Sequence, residues 1–353
     1  MSPPRLEQSF VAGSIQTKVG LVPRISSARA WADRWGAYKA RWSIGRMDYR
    51  VDPGLYALGR PDDQSPVLVT ANYKLTFDSL RAALPGRDAW ILVLDTRGIN
   101  VWCAAGKGTF GTKELIGRIG SSGLDQVVSH RELILPQLAG PGVSAHRVKR
   151  SSGFKVIYGP VRTEDLPAFL DAGFKATPEM RVKTFTIRER VALIPVELVG
   201  AFKVVLLVLP VIFLTDSLWR AGGFWSNGLS HGLDSVLAIL TAILAGTVLT
   251  PLLLPWLPGR AFSFKGLITG VLSALAFVFS RWGHWGTWPD RLEMAAWVIL
   301  IPALSAYLAM NFTGSSTYTS LSGVKKEMRL ALPLQIGAGV LALGLWLGSH
   351  LIS

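Results

Sequence analysis

The hydrophobic pattern divides the chain into two halves of different character. Up to about residue 190, short apolar runs alternate with amphipathic segments, and charged residues are frequent. After this point, apolar stretches follow one another, each near the roughly 20 residues that a bilayer crossing needs. We therefore predict a lead-in segment, an α/β domain and an all-α transmembrane domain, at residues 1–60, 61–190 and 191–353.

From Pro66 onward the pattern is typical of a Rossmann-like α/β domain. Short apolar runs, typical of buried parallel strands, alternate with segments that place their apolar residues on one helical face. Because ligands of parallel α/β sheets bind at the carboxyl ends of the strands, a site is expected there. The predicted strands are residues 67–70, 90–94, 125–129, 132–135 and 154–158, and the predicted helices are 76–84, 113–119, 143–150 and 163–170.

The second of these strands is followed by DTRGINVWCAAGKGTFGTK, residues 95–113. The pair Arg97-Gly98 predicts a turn, and Asn100 is a residue type that caps helix N-termini, so a short helix is predicted from this point. Cys103, the single cysteine of the chain, lies at its start among alanines and glycines. A helix with so little side-chain volume lets a flat, bulky partner approach its backbone, with the thiol as the one strong ligand there.

The sequence NVWCAAGK resembles the cap-helix motif of the membrane corrinoid protein family that methylates mercury. TANYKLTFDSLR, residues 70–81, is similar to that family and to the large subunit of the corrinoid iron–sulfur protein, and the resemblance extends over most of the chain. It implies a cobamide cofactor (a cobalamin-type corrinoid) whose cobalt takes the Cys103 thiolate as lower axial ligand, so Cys103 is the expected metal ligand and catalytic residue.

The remaining predicted site residues come from two sources. Thr70, Asn72 and Asp95 fall at the carboxyl ends of predicted strands, so they are expected around the same crevice as the cap segment. The resemblance extends corrin contact to the residues that flank Cys103. These are Asn100, Val101, Trp102, Ala104, Ala105, Gly106, Lys107 and Gly108.

The ligand chemistry has an alternative. Soluble cobalamin enzymes commonly bind cobalt through a histidine in a DxHxxG motif, and none of the five histidines lies in such a setting. Cobalt therefore has either no protein ligand or Cys103.

A thiolate is strongly electron-donating, which favours departure of the methyl carbon with its electrons toward an electrophile such as Hg(II). The alternative is that Cys103 is a small buried hydrophobe, as free cysteines often are.

The resemblance implies a corrinoid-dependent methyltransferase that receives methyl from a folate-linked donor and transfers it to inorganic Hg(II), giving methylmercury. It also implies a ferredoxin-like partner with two [4Fe–4S] clusters, which returns cobalt to Co(I). One cysteine is too few for a cluster within this chain, since clusters normally need about four thiolates. Two other functions stay open: a corrinoid methyl carrier of an acetyl-CoA-type pathway, and a membrane transporter or receptor with a ligand-sensing soluble domain.

Five membrane spans are predicted, at residues 194–215, 234–257, 264–281, 291–311 and 333–351. The N-terminus has no signal-peptide pattern, so the α/β domain is predicted to stay in the cytoplasm. The distribution of basic residues favours this orientation in the cytoplasmic membrane. The predicted inner loops carry Arg260, Lys265, Lys325, Lys326 and Arg329, against Arg220, Arg281 and Arg291 in the outer loops.

The net charge of +14 is compatible with nucleic acid or with anionic lipid. No nucleic-acid-binding motif is present and basic residues flank the apolar spans, so we predict membrane lipid as the partner and no nucleic acid. The hydroxyl-rich segment NFTGSSTYTSLSGVKKEMR, residues 311–329, is similar to a segment of the soluble corrinoid relatives. It is expected either to fold back toward the corrinoid domain or to be a plain polar loop.

Overall fold

The computed structural model describes residues 3–220, 222–282, 285–315 and 321–352. It forms two compact units, Met1–Lys183 and Thr184–Ser353. The first, here called the sheet unit, is built on a mixed seven-stranded sheet with helices. The second, here called the helical unit, contains five long apolar helices. The predicted fold class, an α/β domain followed by an all-α region, is confirmed.

The strand order in the sheet is β1-β2-β3-β5-β4-β6-β7. β5, β4, β6 and β7 are parallel to one another, and β2 is parallel to β3, whereas β1 pairs with β2, and β3 with β5, in antiparallel fashion. The carboxyl ends of four parallel strands therefore share one edge. The strands are Val11–Thr17 (β1), Gly20–Ile25 (β2), Gly54–Leu58 (β3), Val67–Ala71 (β4), Ala89–Leu94 (β5), Glu132–Leu135 (β6) and Lys155–Tyr158 (β7).

Helices cover both faces of this sheet. Side chains alternate between faces along each strand, so Val69 and Leu92 belong to one apolar cluster while Leu68 and Ile91 belong to the other. The first cluster includes residues of α3 to α6, and the second those of α2 and α7. The helices of this unit are Trp31–Arg41 (α1), Lys74–Ala82 (α2), Val101–Lys107 (α3), Thr112–Ser121 (α4), Leu124–Val127 (α5), Ala145–Ser152 (α6) and Leu166–Asp171 (α7).

A buried cluster of four charged residues joins α1 to α2. The Lys74 ammonium donates to Asp33 at 2.6 Å and to Asp78 at 2.8 Å, and the Arg81 guanidinium donates to the same two carboxylates at 2.7 and 2.8 Å. Residues 1–60 thus supply β1 to β3 and α1, and the pairing of β3 with β5 runs across the predicted boundary at residue 60.

One predicted strand is wrong. Residues 125–129 contain the short helix α5, not a strand. The run is too short for its apolar residues to distinguish the two periods. Gly123, at φ +58°, lets the chain turn directly from α4 into the new helix. The other predicted elements are confirmed with shifted ends, except that residues 163–165 form a 3-10 turn ahead of α7.

Five helices of the described residues are long and apolar enough to cross a membrane, so each of them is a candidate span. The second predicted span is too long at its end, because the helix that contains Pro251 stops at Leu253. The candidate spans are Ile187–Trp219, Phe224–Leu253, Phe262–Ser280, Trp288–Thr313 and Gly323–Ile352. Their helices are Ile187–Val191 (α8), Ile194–Trp219 (α9), Phe224–Asn227 (α10), Leu233–Leu244 (α11), Thr250–Leu253 (α12), Phe262–Ser280 (α13), Trp288–Ala309 (α14) and Leu321–Ile352 (α15).

The hydroxyl-rich segment is described only in part. Residues 316–320, in its middle, lie outside the described residues, so its predicted approach to the corrinoid domain stays a prediction. Near its end, the Glu327 carboxylate accepts a hydrogen bond from the Ser263 backbone N–H in the first turn of α13. A carboxylate at this position satisfies a free N–H and complements the positive end of the helix.

Candidate functional site

The helix α3 begins where the sequence predicts it. The Asn100 side chain accepts a hydrogen bond from the Cys103 backbone N–H at 2.9 Å, which confirms Asn100 as the N-cap. Gly108, in the left-handed region at φ +79°, ends the helix after two turns. Cys103 therefore lies in the first turn of a short helix that follows the carboxyl end of β5.

A buried amide holds the loop between β5 and α3. The Asn72 carbonyl oxygen accepts from the backbone N–H groups of Thr96 and Gly98, at 3.1 and 2.9 Å, and from the Thr96 hydroxyl at 2.9 Å. Its NH₂ group donates to Asp95 at 3.2 Å. Since Asn72 is only 2% exposed, its amide sets the course of the chain into α3. The structure thus brings Asn72 and Asp95 together at one sheet edge.

The Asp95 side chain is exposed, and it also stabilises the turn that follows β5. Its carboxylate accepts from the Arg97 backbone N–H at 3.0 Å, which is the local hydrogen bond expected of an aspartate in a turn. The Asp95 backbone N–H donates to Glu114 of α4 at 2.9 Å, and Arg118 pairs with the same carboxylate at 2.7 Å. The β5–α3 loop is therefore fixed from both sides, by Asn72 after β4 and by Glu114 of α4.

The two sides of α3 differ in burial. Val101, Ala104 and Ala105 are buried in the sheet unit's core. Cys103 is partly exposed, and Gly106 and Lys107, three and four residues further on, are exposed on the same side.

A β-carbon added at Gly106 or at Gly108 would meet no atom within 4 Å outside its own helical turn. The side of α3 that carries the thiol is thus bare, and we call Trp102, Cys103, Gly106, Lys107 and Gly108 the open face of α3.

The packed side of α3 is closed by the loop after β6. A β-carbon at Gly142 would lie 2.2 Å from the Phe110 carbonyl oxygen and 3.0 Å from the Ala105 α-carbon. The Gly142 carbonyl accepts from the Thr112 N–H at 3.2 Å. Only glycine allows this approach, so Gly142 sets how deeply α3 lies against the sheet edge. Sequence reasoning missed this residue, and also Thr96 and Glu114.

Thr70 is buried inside β4, at a position that alternation places on the same sheet face as Leu68. That face is covered by α2, whereas α3 packs on the other one. Thr70 therefore faces the side of the sheet opposite to α3 and does not adjoin the open face.

No group of three or more His, Cys, Asp or Glu side chains that could hold a metal ion occurs among the described residues. His130 contacts the Ser65 carbonyl, and His146 contacts the Ser144 hydroxyl. His231 and His350 lie in the helical unit, beside Glu293 and Asp216. His284 is outside the described residues. Cys103, the single cysteine of the chain, is the thiol available to a metal that another group holds.

The helical unit contains more buried ionisable side chains than the sequence indicated. Arg220, assigned to an outer loop, is 8% exposed and donates to Glu293 of α14 at 2.7 Å. Asp216 lies 3.9 Å from Arg220 and 2.8 Å from His350 of α15. A cavity of about 520 Å³ adjoins this network, lined by His231, Asp234, Arg281, Asp290, Glu293 and Trp297 among others.

Comparison with known proteins relates the sheet unit to one family. Residues 43–170 match the family model of the CO dehydrogenase/acetyl-CoA synthase delta subunit (CdhD). The chain is similar to the acetyl-CoA decarbonylase/synthase complex subunit gamma of Methanopyrus kandleri, at 34% identity over 128 residues, 36% of this chain and 27% of that subunit. For Methanocaldococcus jannaschii the identity is 38% over 96 residues, 27% of this chain and 20% of the subunit.

These matches cover the part of the chain that carries the open face. Residues 43–170 include β3 to β7, the β5–α3 loop and α3. The helical unit and α1 lie outside residues 43–170, and the relative from Methanopyrus kandleri aligns with 36% of the chain. The resemblance to the mercury-methylating family over most of the chain stays a prediction. The chain spans 27% to 28% of the length of the first curated relatives it matches.

Proposed function

We propose that this protein is a membrane-anchored corrinoid methyltransferase whose acceptor is inorganic Hg(II), giving methylmercury. The match of residues 43–170 to the CdhD family model, with the similarity to acetyl-CoA decarbonylase/synthase gamma subunits, supports a corrinoid methyl-transfer domain. The observation that carries the finer proposal is a partly exposed thiol on a helix face kept bare by glycine. Acceptance of Hg(II) rests on the resemblance of NVWCAAGK to the mercury-methylating family.

The residues at the sheet edge fit a cobamide. A macrocycle needs a wide surface without projecting side chains, and Gly106 and Gly108 leave such a surface beside Cys103. Trp102 precedes Cys103 directly, and Lys107 is exposed one helical turn after Cys103 on the same side of α3. The cofactor, when bound, supplies the cobalt that carries the methyl group and gives it up to an acceptor.

In this proposal Cys103 provides the cobalt ligand from the protein. The Asn100 cap fixes the backbone of Cys103, and the Asn72 amide fixes the loop before it, so the thiol is held before any cofactor binds. Such positioning by neighbouring hydrogen bonds is what gives a metal ligand its orientation. Asp95, in the turn after β5, lies at the same sheet edge beside Asn72, whereas Thr70 is buried in β4 toward the face that α2 covers.

The ligand role is tested by absorption and EPR spectra of the full-length protein loaded with cobamide. We expect a cobalt–thiolate signature in the natural protein and its loss in Cys103→Ala, with the cofactor still bound. A signature that persists in Cys103→Ala would disprove the assignment. Cofactor retention is measured separately, by the cobalt content after gel filtration.

The open face is tested by filling it. Gly106→Leu places a side chain where nothing else lies within 4 Å, so folding should tolerate it while a macrocycle is excluded. Gly117→Leu is the matched control, because Gly117 is an exposed glycine of α4 with an equally empty surrounding. Both variants change helix propensity by about the same amount, because each replaces a helical glycine with leucine. Equal cobamide binding by the two variants would place the cofactor elsewhere.

A corrinoid methyl carrier of an acetyl-CoA-type pathway is the first alternative, and the names of the relatives favour it. The two functions separate in Cys103→Thr, assayed for methyl transfer to Hg(II) and to a thiol acceptor. A mercury methylator loses the transfer to Hg(II), whereas a carrier keeps its methyl transfer. Retention of both activities in Cys103→Thr would favour the carrier.

The remaining partners and the orientation follow from the same proposal. A folate-linked donor supplies the methyl group, and a ferredoxin-like protein with two [4Fe–4S] clusters supplies low-potential electrons. The sheet unit lies on the cytoplasmic side of the inner membrane, where both partners are found. Protease digestion of sealed inverted vesicles tests the orientation, since cleavage in residues 171–186 requires that side to be exposed.

The second alternative is a transporter or receptor, and the polar cavity of the helical unit favours it. Charged groups inside membrane helices mark ligand or ion pathways. Substitution of Glu293 by Gln removes a charge from this cavity without touching the sheet unit. If Glu293→Gln abolished uptake of a solute and left methyl transfer intact, the helical unit would have a function of its own.

A further inference from the structure

The helix α1 exposes a row of large aromatic side chains. Trp31, Trp35 and Tyr38 are 74%, 52% and 58% exposed, and Trp42, just after the helix, is exposed as well. Their spacing of four, three and four residues places them on one side of a helix. The rings of Trp31 and Trp35 stack with centroids 6.3 Å apart. We call these four residues the aromatic stripe.

The exposed charges of α1 all have one sign. Arg34, Lys39 and Arg41 are exposed beside the aromatic stripe. Asp33, the one acidic residue of the helix, is buried and paired with Lys74 and Arg81 of α2. The surface that α1 offers to its surroundings is therefore aromatic and cationic, without an exposed carboxylate of its own.

The apolar exposure continues beyond the helix. Ile44 and Met47 are both exposed in the turns that follow α1. Aromatic residues with an apolar body and a polar tip favour the membrane–water interface, and basic residues beside them favour anionic lipid. A protein partner would need acidic groups to match this face, whereas an anionic bilayer supplies negative charge everywhere.

Along the chain, only a short segment separates the sheet unit from the first candidate span. The sheet unit ends at Lys183, and the first candidate span starts shortly afterwards at Ile187. The region that matches the CdhD family model starts at residue 43, after α1. We propose that residues 31–47 dock on the anionic lipid surface of the membrane that the helical unit crosses. This proposal rests on the five apolar helices and is independent of the reaction proposed above.

Docking is measured in the full chain, placed in lipid nanodiscs. A Cys103→Ser background with Ala32→Cys receives one environment-sensitive fluorophore beside Trp31, at an exposed position of α1. A second sample carries the label at Ser121→Cys, at the end of α4. Because α1 pairs with α2 and α4 covers the other face of the sheet, one flat bilayer does not reach both labels.

With phosphatidylglycerol in the nanodisc, we expect a nitroxide-labelled lipid to quench the Ala32→Cys label and to leave the Ser121→Cys label unchanged. In phosphatidylcholine alone the quenching should be weak. High salt should also weaken it, since salt screens exposed charges. An Ala32→Cys label that stays unquenched in both lipids would overturn the proposal.

Charge variants test which residues are responsible. Each Lys or Arg near an anionic surface contributes about fivefold to binding, so Arg34→Gln, Lys39→Gln and Arg41→Gln together should weaken docking about a hundredfold. The matched control is Arg147→Gln, Lys149→Gln and Arg150→Gln, three exposed basic residues of α6 with the same loss of charge. Equal effects of the two sets would contradict a site on α1.

A second variant separates docking from folding. Trp31→Ser with Trp35→Ser removes the two stacked, exposed rings and leaves the charges in place. We expect weaker quenching at every salt concentration, with an unchanged circular dichroism spectrum. If the label were instead shielded from aqueous iodide in proportion to protein concentration, without quenching from lipid, α1 would bind protein and the lipid proposal would be wrong.

Discussion

At the scale of single residues, two glycines without a β-carbon and one asparagine side chain set the geometry around Cys103. Gly142 allows the β6 loop to lie against Ala105, and Gly106 leaves the other side of α3 bare. Asn72 uses its oxygen on three donors of one loop, two from Thr96 and one from Gly98. These residues make few contacts with each other, yet each of them affects where the thiol lies.

Among these residues, Asn72 is the one whose substitution should disturb the β5–α3 loop most. Asn72→Ala leaves the N–H groups of Thr96 and Gly98 without their acceptor, and each unpaired buried donor costs about 1–3 kcal/mol. We expect a lower thermal midpoint and weaker cobamide binding, measured by circular dichroism and by equilibrium dialysis. Gln126→Ala is the control, because it removes an exposed amide of the same unit. A variant as stable as this control would show that Asn72 does not hold the loop.

At the scale of elements, the buried charges between α1 and α2 make the sheet unit sensitive to acid. Burial of Asp33 raises the pKa of its carboxyl group, but Lys74 and Arg81 lower it by more, so the pKa lies below the usual 3.8. As the pH falls, the Asp33 carboxylate is therefore protonated at a higher pH in the unfolded chain than in the folded protein. The stabilisation is complete above about pH 3.8 and is lost as the pH falls through the folded-state pKa.

Substitution of Asp33 should reduce both stability and its pH dependence. Asp33→Asn leaves two buried cations with Asp78 alone, which costs about 3 kcal/mol, the low end for broken buried pairs. Below pH 3.8 the thermal midpoint should then fall less steeply than in the natural protein. Asp171→Asn breaks the exposed pair with Arg87 and should change little. An unchanged acid slope in Asp33→Asn would assign the acid sensitivity to other carboxyl groups.

Glycine also decides how closely two membrane helices pack. A β-carbon at Gly270 of α13 would lie 2.5 Å from the Pro302 α-carbon of α14, whereas Gly339 of α15 has nothing within 4 Å. Small residues allow such close approach of helices in membranes. Gly270→Leu should therefore lower the thermal midpoint in detergent micelles, and Gly339→Leu should not. Equal midpoints would mean that the α13–α14 packing tolerates the added volume.

At the scale of the whole molecule, structural features that depend on neighbouring residues could be predicted from the sequence. Contacts between residues far apart in the chain could not. The strand at β5, the Asn100 cap and the five apolar helices follow from local pattern, and the structure confirms them. The close approach of Gly142 joins residues far apart in the chain, so no local pattern indicates it. The same is true of the network around Arg220, whose partners come from three helices.

That network should be the most sensitive point of the helical unit. Arg220, directly after α9, pairs with Glu293 of α14 and donates to Ser349 of α15 at 3.1 Å, so one guanidinium joins the end of α9 to two other helices. Glu293→Ala removes a buried partner and should cost about 3–5 kcal/mol, seen as a lower thermal midpoint in detergent micelles.

The double variant Glu293→Ala with Arg220→Met supplies the control for that prediction, because it removes both charges of the pair. Its loss of stability should be smaller than the sum of the two single losses, as expected for residues in direct contact. Strictly additive losses would show that Arg220 draws its stabilisation from Asp216 and Ser349 instead. The helical unit would then be joined through α9 and α15, with α14 held by apolar contacts such as those of Trp297 and Ile301.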